Sequence, residues 1–364
     1  MQHGLDRVNS VYIAHTPYHV LLSLYLSLDQ HAHENHLIVI GDTSRLLEFA
    51  TTINKCWNPS PFKHTTYLSG MYEKSNWLTK QLLKKKNVKF MKKYFQNHSF
   101  QNIYVFNDRR PEIQAALYFS KKFGVNTAIY VEDGSIAYSS YRLRKFPLHI
   151  AFLAKLLFGF WWENISFFGG ATWIDEVKLL FPDMARPELQ LKPISGISKN
   201  NLEKLRNPSW IREILLTFNL EVENIKDIDA ILVISHSEHV HGRHYMKWME
   251  VLDLIDNNNL RAAVKYHPGE SKKDFLSIRG RERYFLLPQS LPVELLYILL
   301  GRQMKYVVGS DSSSLLTARW FLEDVIVCSI APALGYVEDR LMRVFNRTGI
   351  RLIHNLNQLN EILR

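Results

Sequence analysis

Cysteine is nearly missing from this chain. Its two cysteines among 364 residues, Cys56 and Cys328, lie far apart and show neither metal-type nor redox spacing. Neither a disulfide framework nor a zinc site is signalled, and a reducing cytoplasm fits. No run of 18 or more apolar residues occurs, and the first residues lack a basic stretch followed by an apolar run and a cleavage site. The expectation is of a protein that neither spans a membrane nor is exported by such a signal. Internal repeats and low-complexity tracts are absent too, so the chain is read as ordinary globular domains.

With 46% hydrophobic residues, 364 residues suffice for two cores, because single cores rarely grow past roughly 250 to 300 residues. The formal charge of +10 implies attraction to something anionic: nucleic acid, acidic headgroups or a phosphorylated substrate. Lys80, Lys84, Lys85, Lys86, Lys89, Lys92 and Lys93 crowd one helix-like stretch with Trp77, Leu82, Leu83, Val88, Phe90 and Met91. A solvated face is the plain reading of that stretch. A second cluster, Arg142, Arg144 and Lys145, leads into the apolar segment Pro147 to Trp162, which ends in Phe160-Trp161-Trp162. Cations beside an aromatic-rich apolar helix fit an anionic bilayer surface, with Trp at the boundary, and fit equally a core helix with a wet basic flank.

Strand and helix patterns alternate twice. Val11 to Ala14, Leu37 to Ile40, Ile103 to Phe106 and Ala128 to Val131 are short β-like runs separated by helix-like stretches such as Tyr18 to Leu28 and Pro111 to Lys122. A polar region from Pro187 to Pro208 lacks a strong period, and a helix-like Trp210 to Phe218 follows it. The domain boundary is placed there, giving residues 1–200 and 201–364. The second alternation runs through Ala230 to Ile234, His241 to Asp256, Ala262 to Tyr266, Tyr284 to Leu287, Val293 to Leu300, Tyr306 to Val308, Ser313 to Phe321 and Val325 to Cys328. The fold class expected is α/β, of GT-B type: two Rossmann-like domains facing a central cleft.

Three polar sites each follow a β-like run: Glu132-Asp133-Gly134, His267-Pro268 and Ser312-Ser313-Ser314. Ligands of open α/β sheets collect at the carboxyl ends of strands, so one dispersed active site is expected. Consecutive strand residues point to opposite faces, so one carboxylate can meet a substrate while the other anchors the turn that Gly134 permits. A carboxylate there can take a proton from an acceptor hydroxyl, although Asp-Gly is also a common turn dipeptide. Pro268 ends its strand and biases His267 toward an extended backbone, where an imidazole titrating near neutrality suits a general acid. The serine run begins a helix, so its free N–H groups and hydroxyls form an anion site or simply an N-cap. Ser235-His236-Ser237 is expected to contribute to the same pocket, and Pro288-Gln289 and Glu294 are expected where a base and a ribose would sit, with Glu294 able to chelate the ribose hydroxyls.

In this order and spacing, the acidic-acidic-Gly, His-Pro and serine motifs resemble those of bacterial sialyltransferases, the group of capsule polysialyltransferases and lipooligosaccharide sialyltransferases. His15-Thr16-Pro17-Tyr18-His19 resembles that group's Thr-Pro segment, and Pro292-Val293-Glu294 its Pro-x-Glu segment. The resemblance implies an inverting, metal-independent transfer from CMP-sialic acid, or a related nonulosonic acid, to a sugar hydroxyl of a bacterial surface glycan. It implies Glu132 as base with Asp133 as substitute, His267 on the departing phosphate, and Ser312 to Ser314 holding that phosphate. Thr16, Pro17, His19, Gly134, Ser235, His236, Pro268, Gln289 and Glu294 complete the expected substrate-binding set. The first domain is expected to bind acceptor and the second the nucleotide sugar. No metal and no cofactor is expected beyond the CMP-sialic acid donor. Expected partners are that donor, a glycan acceptor carried on lipid and an anionic membrane surface at the cytoplasmic face, without nucleic acid. Two other readings stay open: a CDP-polyol-dependent polymerase of teichoic-acid type, and a non-catalytic anion-binding protein.

Overall fold

A computed structural model describes residues 10–364 except 29–34, 42–43, 58, 71–75, 239, 241, 273, 302 and 337. The chain divides into two compact units: one comprises the chain up to Ala137 together with Tyr141–Glu203, and the other Tyr138–Ser140 with Lys204–Arg364. Each is a parallel sheet flanked by helices, so the fold is α/β with two Rossmann-like domains.

In the first unit the strands are β1 (Ser10–Ala14), β2 (His36–Gly41), β3 (His64–Ser69), β4 (Asn102–Val105), β5 (Thr127–Val131), β6 (Glu176–Leu179) and β7 (Ile194–Gly196). They lie in the order β3-β2-β1-β4-β5-β6-β7, all parallel. In the second unit β8 (Ala230–Ile234), β9 (Ala262–Tyr266), β10 (Tyr284–Leu286), β11 (Tyr306–Gly309), β12 (Ile326–Ser329) and β13 (Arg351–Leu352) lie in the parallel order β10-β9-β8-β11-β12-β13. Both sheets reverse winding direction once, between β1 and β4 and between β8 and β11. At such a switch point the outgoing loops diverge and leave a crevice at the strands' carboxyl edge.

The central strands are covered on both faces, so they read as largely apolar runs: β8 is Ala-Ile-Leu-Val-Ile, buried throughout. The expected strands therefore fall within a residue or two of the observed ones. The edges behave otherwise. The β3 sequence His-Thr-Thr-Tyr-Leu-Ser is half-exposed and polar, and β7 is a three-residue edge strand inside the stretch that lacks a period. Neither carries a hydrophobic signal. The helix expected from His241 to Asp256 is observed as Arg243–Asn257, and His241 itself lies outside the described residues.

The lysine-rich stretch forms the helix Trp77–Asn97, which buries Asn87, Met91, Tyr94 and Phe95. Lys85, Lys86, Lys89, Lys92 and Lys93 are exposed, as a solvated face requires. The apolar segment after Pro147 forms the helix Leu148–Phe158, and it is not a core helix, because Ala151 is its one buried residue. Trp162 is buried, and Trp161 is half-buried and stacks on Tyr118 with centroids 5.8 Å apart, so these indoles pack inside the first unit and do not form a boundary belt.

Candidate functional site

In the first unit the site grows from three strand ends. After β1, Thr16 caps the helix Pro17–Ser27: its hydroxyl accepts the His19 N–H at 3.1 Å, and Pro17 takes the first helical position, where its missing donor does no harm. This start fixes His19 in the first turn, where the ring stacks on Phe106, just beyond β4, at 4.4 Å between centroids and 7° between planes. Its Nδ1 accepts the backbone N–H of His15 at 3.3 Å, which puts the proton on Nε2, and Nε2 donates to Asp133 Oδ1 at 2.9 Å. Burial, with the Arg110 guanidinium and His19 adding to it, holds the His15 imidazole well below its usual pKa and therefore neutral.

The two carboxylates after β5 part as strand geometry requires. Glu132 is fully enclosed, and its Oε2 accepts the Leu180 N–H at 2.7 Å, which ties the end of β5 to the end of β6. Asp133 keeps 26% of its side chain exposed, and its N–H donates to the Tyr130 hydroxyl at 3.2 Å. Gly134, at φ +71°, turns the chain away in a conformation that a side chain would strain. Of the pair, Asp133 is the carboxylate with exposed surface. The preference for Glu132 as base does not agree with this placement: a carboxylate enclosed and bonded to backbone holds a turn.

In the second unit the polar groups gather where β8, β9 and β11 end. His267 is exposed, and its Nδ1 accepts the Gly269 N–H at 3.1 Å, so its proton resides on Nε2. The His236 ring lies edge-on at 5.6 Å, its Nδ1 accepting from the Glu238 N–H and its Nε2 donating to the Gly269 carbonyl, each at 3.2 Å. The Ser310 hydroxyl donates to Asp311 Oδ1 at 2.8 Å, and the Ser235 hydroxyl lies 2.5 Å from Ser310 Oγ and 3.2 Å from Asp311 Oδ1. Ser312 caps the helix Ser313–Phe321 by accepting the Ser314 N–H at 3.2 Å. A capping hydroxyl still has its own O–H to donate. The structure thus brings together Ser235, His236, His267, Pro268 and the start of the serine helix.

Several residues here carry no signal strong enough to mark them in the sequence. Glu270 accepts from the Ser237 N–H at 2.6 Å, the Ser237 hydroxyl at 2.9 Å and the Lys272 N–H at 2.7 Å, which locks the end of β8 to the end of β9. Burial works to raise its pKa, but those donors prevail and hold it below the usual glutamate value. Asp311 puts a carboxylate beside the serines, so Ser235 serves that carboxylate in this arrangement. Buried Lys265 donates to the carbonyls of Tyr266 at 2.9 Å and Gln289 at 2.7 Å, fixing Gln289 relative to the end of β9. Glu294 departs from its expected role. It is buried, and its Oε1 accepts the Thr317 hydroxyl at 2.9 Å, so it braces the serine helix and is not displayed toward a ribose.

Burial lowers the Lys265 amine to about 8, with Glu294 working in the opposite direction. Because the folded value lies below the unfolded value of about 10.4, the unfolded chain binds more protons between the two. Stability therefore rises with pH through that window, and the burial penalty applies in full below it. Thermal unfolding from about pH 7.5 to about pH 10 should show this rise, and Lys265→Met should flatten it.

No curated protein matches the chain. Among solved structures, a putative UDP-N-acetylglucosamine 2-epimerase from Listeria monocytogenes is similar at 13% identity and TM-score 0.59, over 98% of this chain and 86% of that one. The UDP-GlcNAc 2-epimerase of Neisseria meningitidis, bound to UDP-GlcNAc, is similar at 14% identity and TM-score 0.56, over 98% and 89%. UGT73P12 of Glycyrrhiza uralensis, complexed with glycyrrhetinic acid 3-O-monoglucuronide, is similar at 11% identity and TM-score 0.58, over 94% and 81%. At these identities the likeness concerns the fold. The family is decided by the sequence itself: residues 10–330 match the model of the alpha-2,8-polysialyltransferases, and the chain belongs to that family.

Proposed function

We propose that this family member is an inverting sialyltransferase that moves sialic acid from CMP-sialic acid to a hydroxyl of a bacterial surface glycan carried on lipid, with no metal ion taking part. The observation that carries the reading is the Asp133–His19 pair: a half-buried carboxylate, held by a 2.9 Å bond from a ring of fixed tautomer, beside a turn that presents it. Asp133 takes the proton of the acceptor hydroxyl as that oxygen bonds to the anomeric carbon of the sialyl group. His19 is a positioning residue: its Nδ1 is occupied by the His15 N–H, so it orients Asp133 and does not accept the proton.

The donor falls to the second unit. As the bond from the anomeric carbon to the phosphate oxygen breaks, its electron pair stays with CMP, and His267 Nε2–H donates to the departing phosphate. Ser312, Ser313 and Ser314, with the helix N-terminus, bind the other phosphate oxygens. Gln289 and Pro288 flank the base. The oxocarbenium-like centre bears its own carboxylate, and a monophosphate leaves readily when donors stabilise its charge, so the chemistry needs no divalent ion. The first unit binds acceptor and the second donor.

The CDP-polyol reading draws on the same His-Pro and serine segments, and its attacking hydroxyl also has to lose a proton to a base, so the two readings differ in the donor turned over. Incubating the purified chain separately with CMP-sialic acid and with CDP-glycerol distinguishes the two. Release of CMP from the sialyl donor alone is the expected result, and turnover of CDP-glycerol alone would overturn the proposal.

A further inference from the structure

The helix Leu148–Phe158 displays the apolar surface that a globular protein ordinarily hides. Leu148 is 90% exposed, Phe152 56%, Leu153 58%, Leu156 58% and Phe160 74%. Leu148, Phe152 and Leu156 are four residues apart, so they form one stripe along the helix, while Ala151 faces the protein. Single exposed apolar residues are ordinary, but a contiguous stripe marks an interaction surface. We propose that this helix lies in the interface of an anionic bilayer and docks the first unit on the membrane.

Charge selects the occupant. Residues 141–162 contain Arg142, Arg144, Lys145 and Lys155 and no Asp or Glu. The Arg142 side chain is 63% exposed even while it bonds Glu188, and Arg144 and Lys145 are exposed immediately before the apolar stripe. Acidic headgroups meet these cations while Leu148, Phe152 and Leu156 enter the acyl boundary. A second copy of the chain fits worse, because a two-fold interface sets the same patch against itself and so brings like charges together. Eleven residues make a helix of about 16 Å, about half the hydrocarbon thickness, so it lies along the surface and does not span. Arg109 supports the approach to the helix by donating to the Arg144 carbonyl at 2.9 Å and lying over the Phe146 ring at 5.5 Å. Docking here would place the acceptor-binding unit where lipid-carried glycans are found.

The test is co-sedimentation of the 364-residue chain with vesicles of phosphatidylcholine alone and of phosphatidylcholine with phosphatidylglycerol, without any sugar nucleotide. Failure of docking is thus separate from failure of the sialyltransferase reading. Wild type should partition to the anionic vesicles, and added salt should weaken binding. Phe152→Glu with Leu156→Glu should lower partitioning roughly tenfold or more, since two buried apolar contacts become charges of the wrong sign. Arg144→Gln with Lys145→Gln should lower it and reduce its salt dependence. Both variants should keep the wild-type circular dichroism and unfolding midpoint, because they alter exposed positions. Equal binding to both vesicle types, no binding to either, or a wild-type dimer dissociated by Phe152→Glu would overturn the proposal, the last by showing that a second copy covers the stripe.

Discussion

Replacing Asp133 with Asn should lower kcat for sialyl transfer by roughly 10²- to 10⁴-fold, the usual contribution of a positioned general base, while leaving CMP affinity unchanged. The size follows from the chemistry: an amide of the same shape still accepts the bond from His19 Nε2 but cannot take a proton from the acceptor. The neighbouring substitution should behave differently. Glu132 is enclosed, and its Oε2 accepts the Leu180 N–H at 2.7 Å, so Glu132→Ala should act mainly on stability, at about 1–3 kcal/mol for an orphaned buried donor plus the space left behind. Measured together, kcat, CMP affinity and unfolding midpoint for the two variants separate a proton acceptor from a turn anchor. His19→Ala should fall between them, with a reduced kcat and a shifted pH profile, because it frees Asp133 without removing it.

A second large effect is expected at His267. His267→Ala should reduce kcat by roughly 10²- to 10³-fold, comparable to losing one donor from an anion-stabilising set, with a smaller change in the KM for donor. The split is diagnostic. Phosphate charge grows as the glycosidic bond breaks, so a donor at that oxygen matters more in the transition state than in the bound ground state. His236→Ala should give a milder loss, since that ring bonds to the Gly269 carbonyl and the Glu238 N–H and serves to shape the loop that carries His267. If His236→Ala and His267→Ala exchanged magnitudes, the assignment of the phosphate donor would move from one ring to the other.

What could be read in the sequence follows from which interactions leave a local trace. Strand β8 is buried on both faces and announces itself as an apolar run, and Thr16-Pro17 and Ser312-Ser313 announce helix starts through capping and proline chemistry. The edge strands β3 and β7 lack such a trace, because a half-exposed strand needs only alternation or less. The motif residues were visible because each follows a strand. How the labour divides within Glu132-Asp133 was not, since it depends on Leu180 and His19, which are distant in sequence and meet these carboxylates only in the folded sheet. Glu294 shows the same limit: a Pro-x-Glu segment looks poised for a ribose, yet the carboxylate is buried and accepts the Thr317 hydroxyl. The apolar segment after Pro147 read equally as core or as surface, because periodicity reports that a face exists and not what covers it.

The central claim is that this chain transfers sialic acid by means of its own residues alone. The most direct test mixes the purified chain with CMP-sialic acid and a panel of galactoside and sialoside oligosaccharides in EDTA, and follows CMP release and acceptor mass together. The account predicts an acceptor heavier by a sialyl residue, with one CMP released for each residue transferred and the signal lost in Asp133→Asn. Strict dependence on a divalent ion, or full transfer by Asp133→Asn, would contradict it.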